Sequence, residues 1–168
     1  MDKKPTQLLV YVDETSLDRY YFREHAWCSK DKFPIGFVSG TRFERQNILA
    51  ARMGSQLIAP LMYTGYTDTL LFLDWIKNHL LPALPKGSVI FMDNASFHKN
   101  PAIRAAIELA GCELLYLPPY SPDLNPIEKS WAALKRHLKS FSSQFTDFFD
   151  AISSSFNSLF LCVDSHCF

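Results

Sequence analysis

No apolar run in the chain approaches the roughly 18 residues that a membrane-spanning helix needs, so no transmembrane segment is expected. The opening Met1-Asp2-Lys3-Lys4-Pro5 lacks the apolar core of a secretory signal, and none is expected there. Neither sign of charge is in excess, with 17 Lys+Arg against 17 Asp+Glu. A uniformly basic nucleic-acid binder is therefore excluded, whereas a local basic face is not. Cysteine is sparse. Cys28, Cys112, Cys162 and Cys167 are scattered through a chain large enough to build its own core, which fits a reduced, cytosolic protein better than a disulfide scaffold. Cys162, His166 and Cys167 have neither knuckle spacing nor an evident fourth ligand, so no zinc site is expected. What remains is ordinary globular composition, 48% hydrophobic and 20% charged over 168 residues, the size of one domain. No internal repeat is present.

The segment Gln7–Val12 reads as an apolar strand with the acids Asp13-Glu14 at its carboxyl end. Tyr20–Cys28 and Pro34–Ser39 read as further strands. Gln46–Ala51 and Gln56–Tyr63 read as edge strands punctuated by Gly54 and Gly65. Thr67-Asp68 opens a helix whose Leu70, Leu71, Leu73, Trp75, Ile76 and Leu80 recur at helical spacing, and Pro82 and Pro85 close it. Ser88–Met92 is a fully apolar strand stopped by Asp93. Pro101–Ala110 is a helix with Gly111 just past its end, and Glu113–Leu117 is a strand. A stretch containing Pro118, Pro119, Pro122 and Pro126 leads into a helix from Pro126 to around Lys139. Beyond Ser140, in a Ser- and Phe-rich tail, Phe141, Phe145, Phe148, Phe149, Ile152, Phe156, Leu159 and Phe160 fall at helical spacing. Residues 141–168 therefore read as an amphipathic helix and tail packed on a 1–140 domain, or on a partner. An antiparallel start followed by alternating helices and strands predicts an α/β fold, a mixed sheet flanked by helices. Parallel strands carry their sites at their carboxyl edges.

Three acids stand out against that frame. Asp13 and Asp93 end strands, and Glu128 starts a helix behind a proline-stiffened loop, with 34 residues between Asp93 and Glu128. If the two strands are neighbours and the helix lies beside them, the carboxylates meet at one sheet edge. Converging carboxylates repel one another unless cations lie between them. Oxygen-only ligands suit Mg²⁺, with Mn²⁺ as substitute. Two such ions about 3.5–4 Å apart clamp both oxygens of an in-line phosphoryl displacement, so the pattern points to a phosphodiester substrate. Each acid also has a plain structural reading. Asp13 and Asp93-Asn94 fit turns. Asn125-Pro126-Ile127-Glu128 fits a capping box, with Glu128 bonding back to the helix start.

Three stretches carry a specific resemblance: VYVDET (Val10–Thr15), VIFMDNASFHKN (Val89–Asn100) and LYLPPYSPDLNPIEKSW (Leu115–Trp131). Ala59–Gly65 and the AG-x-x-LLYLPP segment add to it. Together they resemble the DDE catalytic domain of mariner-superfamily transposases, and within it the bacterial insertion-sequence branch with a DD34E triad. The similarity runs from about Leu8 to Lys139, and its most specific part is the proline-rich signature ending in the glutamate. The resemblance implies a ribonuclease-H-like fold, with Asp13, Asp93 and Glu128 as the catalytic, metal-binding triad. It implies two Mg²⁺ ions, cleavage of DNA at transposon ends, and attack of the freed 3′-hydroxyl on target DNA, usually at a TA dinucleotide. It implies a homodimer or larger synaptic complex on DNA, and a bacterial, nucleoid-associated, cytoplasmic location.

Asn94, His98 and Asn125 lie close enough in sequence to the acids to orient water, a ligand or a phosphate. Tyr120 and Ser121 are placed to shape the loop before Glu128. Glu14 points away from the site if Asp13 points in, by strand alternation. Lys129, Lys135, Arg136 and Lys139 continue the Glu128 helix and fit DNA phosphate contacts, or equally a solvated face with cations near a helix C-terminus. Arg42, Arg45 and Arg52 form a second, scattered basic set, and Trp131 reads as core. With the first acid at position 13, a helix-turn-helix module of the kind that reads terminal repeats is expected from an upstream reading frame or a fusion partner. The alternatives are a catalytically silent remnant that binds DNA or partner subunits, and a nuclease acting on RNA–DNA hybrids. Replacing Asp93 by Asn is expected to abolish cleavage while leaving the fold intact or slightly more stable, through relief of carboxylate repulsion.

Overall fold

The computed structural model of the chain describes residues 8–18, 45–119, 121–141 and 147–161. The strands expected over 20–28 and 34–39, as well as Arg42, Tyr120 and the Cys162, His166, Cys167 group, lie outside them. Five strands form one sheet: β1 (Leu9–Asp18), β2 (Arg45–Met53), β3 (Gln56–Tyr63), β4 (Val89–Met92) and β5 (Glu113–Tyr116), in the order β3-β2-β1-β4-β5. β1, β2 and β3 pair antiparallel, while β4 and β5 continue the sheet in parallel with β1. The helices are α1 (Thr69–Trp75), α2 (Pro101–Leu109), α3 (Ile127–Phe141) and α4 (Phe148–Phe156). This is a ribonuclease-H-like mixed sheet with helices against it.

Local chemistry explains the helix ends. The Asp68 carboxylate caps α1 by accepting from Leu71 N at 2.8 Å. Asn100 caps α2 through Ala102 N at 2.9 Å, with Pro101 in the first turn, where its missing N–H costs nothing. Gly111 takes φ 77°, the left-handed conformation that ends α2, and lets Cys112 N bond to Ile107 O at 3.1 Å. The Asp147 carboxylate starts α4.

Strand alternation divides the core between the two sheet faces. Val10, Val12, Leu49, Ala51, Ile90, Met92 and Leu114 pack with Phe72, Trp75 and Ile76 from α1 and its continuation, and with Ile103 and Ile107 of α2. Leu17, Ile48, Ala50 and Leu57 face the other way, onto α3 and α4. α3 buries Ile127, Trp131, Leu134 and Leu138, a stripe at steps of four, three and four. Each of these apolar side chains contributes roughly 1.5–3 kcal/mol by leaving water, which anchors the helix that carries Glu128. α4 buries Phe148, Ala151, Ile152 and Phe156 in the same cluster.

Two expectations are corrected. β2, read as an edge strand, lies between β3 and β1, because it pairs with both. The first strand does not stop at its acids: β1 runs on to Asp18, and Asp13 lies in mid-strand. The antiparallel ladder is the cause. Thr15 pairs with Ile48 and Leu17 with Gln46, so β2 carries β1 well past the point where β4 ends.

Candidate active site

The carboxyl end of β4 sets the position of the site. Val10 pairs with Ile90 and Tyr11 with Phe91, and β4 ends at Met92. Continuing that register brings Asp93 level with Asp13. Tyr11 and Leu17 pack toward α3, so period-two alternation turns Asp13 to the same face. Glu14 takes the opposite face, as expected, and its carboxylate accepts from the Thr67 hydroxyl. Asp13, Asp93 and Glu128 all line one cleft of about 480 Å³, together with Asn94, Ala95, Leu117, Pro118, Pro119, Ser121 and Asn125.

Each acid is held differently. Trp131 Nε1–H donates to Asp13 Oδ2 at 3.0 Å, so the buried tryptophan of α3 also grips the acid of β1. Burial is the main force on Asp13 and pushes its carboxyl up to about 6. The charges of Glu128 and Asp93 push the same way, against the hydrogen bonds from the Glu14 backbone and Trp131. Asp93 moves in the opposite direction. Its hydrogen bond with His98 holds it below the ordinary carboxylate value, helped by Ala95 N–H and opposed by partial burial. His98 Nδ1 lies 2.6 Å from Asp93 Oδ1, and Ala95 N donates to the same oxygen at 3.0 Å. Among the described residues, Asp93 Oδ2 has no hydrogen bond.

His98 is buried, packed between Phe72 and Phe97, and its backbone carbonyl accepts from Tyr116 OH at 2.9 Å. It is therefore a brace behind Asp93 and does not line the cleft. Asn94 does line the cleft, but its Nδ2 donates to Leu117 O at 2.6 Å and ties the end of β4 to the end of β5.

The capping-box reading of Glu128 is not what the structure shows. Glu128 N bonds to the Asn125 backbone carbonyl at 3.2 Å. Asn125 Oδ1 is buried without a partner, and among the described residues the Glu128 carboxylate makes no hydrogen bond. Both side chains stand on the cleft wall without capping α3. Lys129, Lys135, Arg136 and Lys139 are exposed on α3, and Lys135 and Lys139 follow Glu128 along one flank at seven and eleven residues. Arg45 faces Asp18 at 3.9 Å.

Two contributors carried no signal beyond their residue type. Trp131 reads as core, and nothing local indicates that its N–H reaches a residue 118 positions away. Arg52 reads as one of several loose cations, yet among the described residues it makes three hydrogen bonds within the fold. Nε donates to Gly54 O at 2.9 Å, and Nη1 donates to Pro126 O at 2.9 Å and to Ser130 Oγ at 2.8 Å.

Among the described residues, no three His, Cys, Asp or Glu side chains are gathered tightly enough to enclose a metal ion. The donor set nonetheless fits a hard divalent cation. Three carboxylates share one cleft, and among the described residues the Asp93 and Glu128 carboxylates keep oxygens without hydrogen bonds.

Fold and sequence agree on the class. Residues 8–152 match the family described as DDE superfamily endonuclease, and the chain belongs to that family. A 66-residue stretch is 30% identical to the uncharacterized protein y4pE/y4sA of Sinorhizobium fredii (strain NBRC 101917 / NGR234), covering 39% of this chain and 46% of that one. The fold is similar to that in the Mos1 strand transfer complex, with a TM-score of 0.68 and 18% identity over 95% of this chain and 48% of that chain. It is similar to the Mos1 mariner paired end complex with Mn, with a TM-score of 0.66 and 17% identity over 96% and 50%. The catalytic core domain of BIV integrase gives a TM-score of 0.58 at 15% identity over 91% and 83%. At these identities the likeness to solved structures is one of fold. The chain spans about half the length of the Mos1 chains it matches in these complexes. No helix among the described residues is long and apolar enough to cross a membrane.

Proposed function

We propose that this chain is the catalytic domain of a DDE transposase of the bacterial insertion-sequence branch, cleaving DNA at transposon ends and joining the freed 3′-hydroxyl to target DNA. The observation that carries this reading is that Asp13, Asp93 and Glu128 line one cleft at the carboxyl end of β4. Asp13 and Asp93 would hold Mg²⁺, or Mn²⁺ in its place, and Glu128 would complete a second ion site. When bound, the ions supply positive charge against the charge that develops on the transferring phosphoryl group.

The chain's own residues do the positioning. His98 and Ala95 N–H fix one oxygen of Asp93 and leave the other for ligation. Trp131 fixes Asp13. Asn94 keeps the Leu117–Pro119 wall in place, and Asn125 offers its carboxamide to the cleft. Lys129, Lys135, Arg136 and Lys139 carry the DNA strand along α3. The working assembly is a homodimer or larger synaptic complex, with a helix-turn-helix module, fused or from an upstream frame, supplying sequence recognition.

The test is Mn²⁺ titration by calorimetry, alone and with a DNA duplex carrying a transposon end, followed by a nicking assay on that duplex. Mn²⁺ binding with metal-dependent nicking is the expected result. Binding of DNA with no metal binding and no nicking would make the chain a silent remnant. Cleavage of an RNA–DNA hybrid alone would make it a hybrid nuclease.

A separate expectation concerns α3. Replacing Lys135 and Lys139 together by Ala should flatten the slope of log K against log salt by about 2, roughly one unit for each phosphate no longer neutralised. An unchanged slope, measured by anisotropy across a salt series, assigns both lysines to a solvated face.

A further inference from the structure

We infer that Arg52 is a positioning residue for Glu128: it sets where the first turn of α3 rests on the sheet, and through that turn how Glu128 meets Asp13 and Asp93. The inference rests on the reading of those three acids as metal ligands. Arg52 shares the α3-facing side of β2 with Ile48 and Ala50. Its guanidinium joins two places far apart in sequence. One nitrogen holds the carbonyl of Gly54 in the β2–β3 turn. Another holds both the carbonyl of Pro126 and the hydroxyl of Ser130. Pro126 and Ser130 bracket Glu128, two residues before it and two after.

Helix stabilisation does not account for this contact. The start of a helix is its positive end, where a cation is unfavourable. The three acceptors are neutral, so no ion pair offsets that cost. What the contact provides is geometry, because a planar fork with several donors fixes direction as well as distance. The cross-strand register adds the link to the site. Arg52 pairs with Tyr11, and its neighbour Ala50 pairs with Asp13. Ser130 is followed directly by Trp131, whose N–H holds Asp13. The turn that bears Glu128 is thus pinned to β2 by Arg52 and to β1 by Trp131. With three hydrogen bonds inside the fold, Arg52 is not a free phosphate contact.

The experiment is a double-mutant cycle read by Mn²⁺ calorimetry in the presence of a DNA end, with a thermal melt on every variant. Arg52→Ala is expected to weaken Mn²⁺ binding by about 10–100-fold, the range for residues that orient metal ligands. Arg52→Lys, which keeps the charge and loses the fork, should recover only part of that affinity. In a Glu128→Gln background, Arg52→Ala should change Mn²⁺ affinity no further, because its effect passes through Glu128. Wild-type affinity in Arg52→Ala, or an equal loss in both backgrounds, overturns the inference. If the melt shows Arg52→Ala to be unfolded, Arg52→Lys and Arg52→Gln are read through the same cycle. If the wild type binds Mn²⁺ and only the coupling is absent, this inference alone fails. If the wild type itself binds none even with DNA, the metal-site reading falls and the inference with it.

Discussion

Neutralising Asp13 or Asp93 is expected to cost on the order of 10³-fold in metal-dependent DNA nicking, while moving stability in opposite directions. Asp13→Asn should stabilise the metal-free protein at pH 7. The carboxyl of Asp13 rises from its ordinary 3.8 to about 6 in the fold, chiefly through burial. The native state therefore holds a proton that the unfolded state has released between those values. Stability is fully present below about pH 4, falls as pH rises toward 6, and stays reduced above it. The loss amounts to about 3 kcal/mol if the whole shift is realised. Asparagine removes that cost and can still accept from Trp131. Its melting temperature should rise at pH 7, and the decline between pH 4 and 6 should vanish.

Asp93→Asn should instead lower the melting temperature modestly. The folded-state value of Asp93 is depressed, first by its bond with His98. Its contribution is present above the ordinary carboxylate value and is lost as pH falls through the depressed one. The stability gain expected from relief of repulsion thus belongs to Asp13, because His98 already compensates Asp93. Thermal melts of both variants from pH 3 to 8 without metal, beside the nicking assay, decide the matter. A flat pH profile for the wild type, or stabilisation by Asp93→Asn, contradicts this account. Full nicking by either variant contradicts the proposed chemistry.

The second large effect is expected at Trp131. Trp131→Phe keeps an aromatic ring in the α3 stripe and deletes the N–H that holds Asp13 Oδ2. A hydrogen bond to a charged group is worth about 1.5–3 kcal/mol, and orienting partners of metal ligands typically change metal affinity by about 10–100-fold. That bond favours the charged form of Asp13, so its loss should raise the carboxyl further. Mn²⁺ binding should therefore weaken, and its midpoint should move to higher pH. The change in Mn²⁺ affinity should exceed what the drop in melting temperature alone would suggest. Calorimetry at pH 6, 7 and 8 tests this: an Mn²⁺ affinity and pH midpoint equal to those of the wild type would reduce Trp131 to a packing residue.

Much of the architecture is legible in the chain itself. Short apolar runs between turn signals mark β2, β3, β4 and β5 within one or two residues, and the 3.6-residue stripe of α3 marks its buried face. The caps at Asp68 and Asn100 and the stop at Gly111 are local chemistry, readable from a few neighbouring residues. Asp13, Asp93 and Glu128 stand out by their settings. In the tail, α4 buries Phe148 and Phe156 and leaves Phe149 exposed. Phe145 lies outside the described residues.

The sequence by itself determined where most strands and helices lie, because these depend on side-chain periodicity and on capping over a few residues. The tertiary structure alone decided the strand order β3-β2-β1-β4-β5, which puts Asp13 in mid-strand and level with Asp93. It also decided that Asn125 and Glu128 line the cleft without closing a capping box, that His98 braces Asp93, and that Arg52 and Trp131 tie α3 to the sheet. These ties join residues 74 and 118 positions apart. Their partners are set by strand register and helix docking, which the burial of the whole core selects and no local pattern encodes.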